Sequence, residues 1–270
     1  MKTIIAPIDF SKSSVNAAEY AADLALDISA ELCLLHVLQI PFIASEVPTT
    51  EQVFEEMQDS ALQGLYDLKE TLNGRTGGKI GISVAIETGT MGSQLELYCR
   101  LKGPWLVVMG ITGHSLLRNI VGSNTLTAVR HLSYPLIAVP EYARFHPIHK
   151  IGVACDLKTF AGELPLEYLK DLQQTFGASF DILYVNKENG KEPDAAELKL
   201  LMEQLQDIDP DFHFVTKDKL EDGLNKLLED SGVDLLLVIP KEHLFFEFHR
   251  SQSRKVILHC PIPVMSVHEQ

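Results

Sequence analysis

The stretch "VVMGITGHSLLRNIVGSNT", residues 107–125, holds the residue grouping best suited to chemistry: Gly110, Gly113, Gly122 and Ser123. Glycines that follow an apolar strand let the backbone turn with positive φ, and a helix opening near Ser123 adds free N–H groups that face an anion. Such an arrangement cradles phosphate. Ser115, Ser123 and Asn124 bring side-chain donors, and His114 sits inside the loop. A second candidate is Asp9, which ends the apolar run "TIIAPID". Its carboxylate suits a base or ribose, a metal beside a phosphate, or the cap of the helix that follows.

Other motifs are weaker. "NGRTGGKIG" at 73–81 has Asn73 where a Walker loop needs glycine and Ile80 where it needs Ser or Thr, so it reads as a turn. "GTMG" at 89–92 lacks the rest of a dinucleotide fingerprint and reads as a tight strand-to-helix turn. "HPIH", with His146 and His149, has no further ligand pair nearby and reads as linker surface instead of a metal site. His36 reads as a hydrogen-bonded core residue. No nucleophile elbow, zinc-hydrolase helix or kinase set is present, so no catalytic residue is assigned.

These residues must be positioned by a repeated scaffold. Residues 3–37 and 150–185 share one layout: a short apolar strand ending in Asp (Asp9, Asp156), an amphipathic helix and a second apolar strand. "WLVVMG" at 105–110 answers "LLLVIP" at 235–240, and "YPLIAVP" at 134–140 answers "CPIPVMSV" at 260–267. Continuous Val/Ile/Leu runs alternating with helical period are the mark of parallel strands buried on both faces. The fold class is therefore α/β: two tandem doubly wound, Rossmann-like domains, each with a mainly parallel five-stranded sheet. The expected limits are 1–142 for a first domain that carries the glycine loop, 143–149 for a linker and 150–270 for a second copy that lacks it.

In the first copy, strands are expected near 3–8, 31–37, 82–87, 105–110 and 136–139, and helices near 13–29, 50–73, 91–101 and 123–131. The first helix should bury Val15, Ala18, Ala22, Ala25 and Ile28, capped by Ser11 or Ser13. The second should cover the sheet with Val53, Met57, Leu65, Leu68 and Leu72. In the second copy, strands are expected near 150–154, 179–185, 212–216, 235–239 and 263–267. Its loop "VIPKEHLFFEFHRSQSRKVILHCP" has Pro240 where Gly110 stood and no glycine at all. Phe245, Phe246 and Phe248 are candidates to plug that cleft or make a contact surface, with core packing the better reading for at least one, and Lys241, His243, His249 and Arg250 read best as a solvated loop.

The 270 residues are 46% hydrophobic with a net charge of −14 and a pI near 5.1. That charge repels nucleic acid, yet leaves room for a small anion held by backbone N–H groups. No run approaches the roughly 18 apolar residues of a membrane span, and the start has no signal cleavage site, which points to the cytoplasm and to no membrane partner. Cys33, Cys99, Cys155 and Cys260 are scattered, which argues against disulfides and zinc knuckles.

"APIDFS", "LLHV" and "VVMGITGHSLLRNIVGSNTLTAVRHLSYPLIAVP" together resemble the universal stress protein family, and the doubled layout resembles its tandem members. The resemblance implies an adenine nucleotide, ATP or AMP with or without Mg2+, in the first domain. It places the base near Pro7, Ile8, Asp9 and Val37, and the sugar and phosphates near Gly110, Gly113, His114, Ser115, Gly122, Ser123 and Asn124. It also implies a pairing of domains through their last strands, within the chain or in a homodimer, and a role in stress tolerance. One departure stands out: the spacer "HSLLRNIV" between Gly113 and Gly122 is one residue shorter than the family's ATP-binding pattern. Two alternatives follow: an interaction or scaffold protein without nucleotide, or a slow ATPase or self-phosphorylating switch acting through Ser123.

Overall fold

A computed structural model describes residues 1–39, 51–111, 125, 128, 132–155, 165–186, 195–216, 220–239 and 260–267. The chain separates into two compact units, Met1–Phe145 and His146–Gln270. The division falls inside the segment 143–149.

In the first unit the described elements are β1 (Thr3–Pro7), α1 (Lys12–Asp27), β2 (Glu31–Leu38), α2 (Glu51–Thr76), β3 (Ile82–Thr88), α3 (Met91–Lys102), β4 (Leu106–Ile111) and β5 (Leu136–Pro140). Thr125 and Ala128 are helical, within the span expected for a helix before β5. The strands pair in parallel in the order β3-β2-β1-β4-β5. Ile4, Ile5, Ala6, Leu34, Leu35, Val107, Val108, Ile137 and Val139 are wholly buried. Strands sealed on both faces explain why they read as unbroken apolar runs instead of alternating ones. Helices lie on both faces: Cys33 reaches Tyr98 of α3, while His36, of opposite parity on the same strand, faces α2.

Helix α1 packs across β1, β2, β4 and β5. Small side chains allow this, since Ala17, Ala18, Ala21, Ala22 and Ala25 are all fully buried. The buried face is wider than the expected stripe, and Val15 and Ile28 at its ends are only half buried. Ser11 is the cap: its Oγ accepts from Ser14 N at 3.2 Å, and Ser13 instead shares a 3.0 Å contact with the Ser11 hydroxyl. For α2, the sheet-covering expectation is only half correct. Leu65, Leu68 and Leu72 are buried, but Val53 is 44% exposed and Met57 half buried. The first turns of α2 face the end of β2 across an open pocket, so their apolar side chains stay partly exposed. Asn73–Thr76 form the last turn of α2, and the Gly77–Gly78 pair, both at positive φ, turns the chain into β3, so only the second half of "NGRTGGKIG" is a turn.

The second unit contains β6 (Lys150–Cys155), α4 (Leu166–Phe176), β7 (Ser179–Asn186), α5 (Ala195–Gln204), β8 (Asp211–Thr216), α6 (Leu220–Ser231), β9 (Leu235–Val238) and β10 (Val264–Ser266). Its strands pair in parallel as β8-β7-β6-β9-β10, the order of the first unit repeated. The registers Gly152↔Asp181 and Asp181↔Asp211 put Lys150, Asp181 and His213 on one face of three adjacent strands. Asp181 is completely buried; Lys150 Nζ lies 3.5 Å and His213 Nε2 2.9 Å from its Oδ2. Neither carboxylate oxygen has an aligned hydrogen bond among the described residues, so the Lys150 ammonium and the His213 ring are what stand against its desolvation.

This cluster makes a stability prediction. The double substitution Lys150→Met, His213→Phe strands a buried carboxylate and should cost about 3–5 kcal/mol. Adding Asp181→Leu should restore most of that loss, read as the midpoint of urea unfolding followed by circular dichroism.

Candidate functional site

The strand order reverses at β1, whose neighbours are β2 and β4. The β1–β2 ladder runs from Thr3 to Pro7 and is continued by Ile8 N donating to Leu35 O at 2.8 Å. Pairing of β1 with β4 is confined to Ile4↔Leu106 and Ile5↔Val107, whereas β4 stays paired with β5 as far as Ile111. Pairing of β1 with β4 thus stops short of their carboxyl ends, the place where an open α/β sheet offers a ligand crevice.

The β1–α1 turn forms one wall. Asp9 Oδ1 accepts from Ser11 N at 2.9 Å, a short turn of the Asx type, and Asp9 N donates to Ser14 Oγ at 3.3 Å. Partial burial pushes the Asp9 carboxyl up, but hydrogen bonds from Ser11 and Ser14 outweigh it and the group ends below the ordinary carboxylate range. Its anion thus persists at the crevice mouth. An anion there repels phosphate and favours the donors of a base or ribose, or a cation beside a phosphate. His36 Nδ1 lies 2.7 Å from Ile8 O, and since a carbonyl only accepts, the ring donates from Nδ1.

Gly110 forms the opposite wall. A Cβ at this position would overlap the backbone carbonyl of Ser13 in the first turn of α1. The residue is glycine because the helix backbone closes directly onto β4. Its carbonyl accepts from Thr125 Oγ1 at 2.9 Å, and Thr125 is 4% exposed. The two ends of the segment 112–124 are thereby joined at the mouth of the crevice, as a loop around a small ligand requires.

The family model described as the universal stress protein family matches residues 1–140. The chain belongs to that family. A universal stress protein of Methanocaldococcus jannaschii is 24% identical over 145 residues, covering 52% of this chain and 82% of its own. Among solved structures, a universal stress protein from Archaeoglobus fulgidus superposes with a TM-score of 0.75 at 18% identity, covering 99% of this chain and 98% of that one. A putative universal stress protein from Pseudomonas aeruginosa gives 0.57 at 11% identity, over 100% of this chain and 94% of that one. At such identities the structures speak for the fold.

Within this universal stress protein, Pro7, Ile8 and Asp9 lie at the carboxyl end of β1, beside Val37 near the end of β2. Pro7, Ile8 and Val37 are buried, so their side chains belong to the core and only Asp9 presents a polar side chain outward. Gly110 is half buried at the end of β4. Gly113, His114, Ser115, Gly122, Ser123 and Asn124 lie outside the described residues, as do Asp156, Lys241, His243, Phe245, Phe246, Phe248, His249 and Arg250. Sequence reasoning missed Thr125, Asn16 and the buried Ser14 beneath the turn, and it weighed Ser13 only as a helix cap. Asn16 Nδ2 donates to Pro140 O and Ala143 O, both at 3.1 Å, and its Oδ1 accepts from Arg144. The polar run Ser11–Ser14 at the start of an alanine-rich helix foreshadows only the serines. Thiol chemistry is disfavoured, because burial pushes Cys99 up to about 12 and Cys260 up to about 11.

Gly110→Ala should overpack the contact with Ser13 and lower stability by about 1–3 kcal/mol. Thr125→Val, which leaves the Gly110 carbonyl without its donor, should cost about 1 kcal/mol. Both losses are measurable by urea unfolding.

Proposed function

We propose that the first unit binds an adenine nucleotide, ATP or AMP, in the crevice between the ends of β1 and β4. The observation that carries this reading is the Thr125–Gly110 hydrogen bond, which closes the ends of a glycine-bearing segment at the point of strand reversal. In this reading the base meets Pro7, Ile8, Asp9 and Val37. Gly110, Gly113, His114, Ser115, Gly122, Ser123 and Asn124 hold the sugar and phosphates through N–H groups and short polar side chains. Asp9, held as an anion, suits the base amino group, a ribose hydroxyl or a Mg2+ riding on the phosphates. The second unit, whose loop after β9 has no glycine, serves as a degenerate copy without a phosphate cradle. Stress tolerance is the cellular role that fits such a protein.

A second reading is a scaffold that takes no nucleotide, favoured by the eight-residue spacer "HSLLRNIV" and by the loss of glycines from the second loop. Calorimetric titration with ATP and with AMP, each with Mg2+, separates the two. Wild type should release or absorb heat saturably, and Gly113→Glu, which thrusts a carboxylate into the cradle, should abolish it. A wild type that gives no heat with either nucleotide supports the scaffold.

A further inference from the structure

The first unit holds a cavity of about 580 Å3 on the α1–α2 side of its sheet, between the end of β2 and the first turns of α2. This volume lies within the roughly 300–1,000 Å3 range of small-molecule pockets. Its apolar lining comes from Phe10, Leu38, Val53 and Met57. Phe10 and Val53, at 41% and 44% exposed, are large apolar side chains that the fold leaves unburied here. The placement of Phe10 is costly: its φ is +62°, a left-handed value that a bulky residue rarely adopts. Gly64 makes room for it, since a Cβ there would lie 2.9 Å from the Phe10 ring. The same ring stands 5.1 Å from that of His36.

The polar lining has one sign. With Nδ1 donating to Ile8 O, a neutral His36 ring offers Nε2 as an acceptor, and that atom has no protein partner among the described residues. Glu56 adds a carboxylate whose only described contact is a 3.4 Å bond from the Gln52 amide, and Ser60 adds a hydroxyl. Among the described residues, no Lys or Arg lines the cavity. Phosphates and carboxylates find nothing to neutralise them there, whereas an ammonium finds a carboxylate, an imidazole lone pair and an aromatic face.

We propose that this cavity binds a small organic amine, its apolar body against Phe10, Leu38 and Met57 and its ammonium against Glu56 and His36. The site differs in charge and in location from the crevice between β1 and β4, and the proposal does not depend on nucleotide binding.

The test uses the full chain without nucleotide, with phenethylamine as probe and phenylacetate as the charge-reversed control, followed by amide chemical shifts. Phenethylamine should shift residues 36–38 and 53–64 saturably, and phenylacetate should not. Glu56→Gln, a surface change that should leave thermal unfolding unaltered, should weaken the amine by about tenfold, the scale of a hydrogen bond to a charged group. Met57→Trp, which fills the cavity, should remove binding of the amine altogether. The proposal is overturned if the amine causes no saturable shifts, if the shifts fall elsewhere, if phenylacetate binds equally, or if Glu56→Gln binds as wild type does.

Discussion

A helix backbone lying against a strand, with no side chain between them, sets the geometry of the first unit. Gly110 is the point of contact, and the carbonyl of Ser13 occupies the space its side chain would need. Because α1 sits that low, its alanines can reach the sheet across several strands, and its first turn is carried to the carboxyl end of β4. The Asp9–Ser14 hydrogen bonds then have a fixed platform, and the Gly110 carbonyl, turned away from α1, is available to Thr125. A glycine that reads from the sequence as a hinge for a loop is also a packing requirement. The two roles are compatible, since the glycine that lets the helix close also permits the chain to turn immediately afterwards.

What was legible in the sequence follows from how burial writes itself into residue type. Strands sealed on both faces leave no alternation to misread, so "IIAP", "LCLLHV" and "LVVM" declare themselves, with limits within a residue or two of the observed ones. Of the strand order, the reading anticipates the meeting of the first and fourth strands, and the ladders show the rest. Helix α2 shows where the method weakens. Its apolar period continues through Val53 and Met57, but periodicity records a face and not whether anything stands opposite that face. The cavity beside those residues was invisible for the same reason. At the crevice, Asp9 and Gly110 were legible as types in place, whereas Thr125 and Asn16 act through backbone carbonyls distant in sequence, contacts that no local pattern encodes.

The two units show how the same topology can carry different interiors. Registers equate Ile5↔Cys33 in the first with Gly152↔Asp181 in the second, so a buried carboxylate stands where the first unit keeps a thiol. In the first unit that thiol meets the Tyr98 hydroxyl at 3.4 Å, a weak neutral contact. In the second, the carboxylate needs Lys150 and His213, each about one-third exposed, and the chain supplies both from the flanking strands. Such an exchange adds little stability, because the cost of dehydrating the carboxylate consumes most of the attraction. What it does constrain is register. A shift of β8 by one residue would turn His213 to the opposite face and leave Asp181 with a single cation at 3.5 Å. Between strands the first unit adds neutral polar contacts, His36 to the Ile8 carbonyl and Ser83 to the Leu32 carbonyl, whereas the second adds a charged cluster. With no glycine after β9 to shape a loop, the second unit keeps the same strand order on other terms, so the scaffold does not depend on a glycine loop.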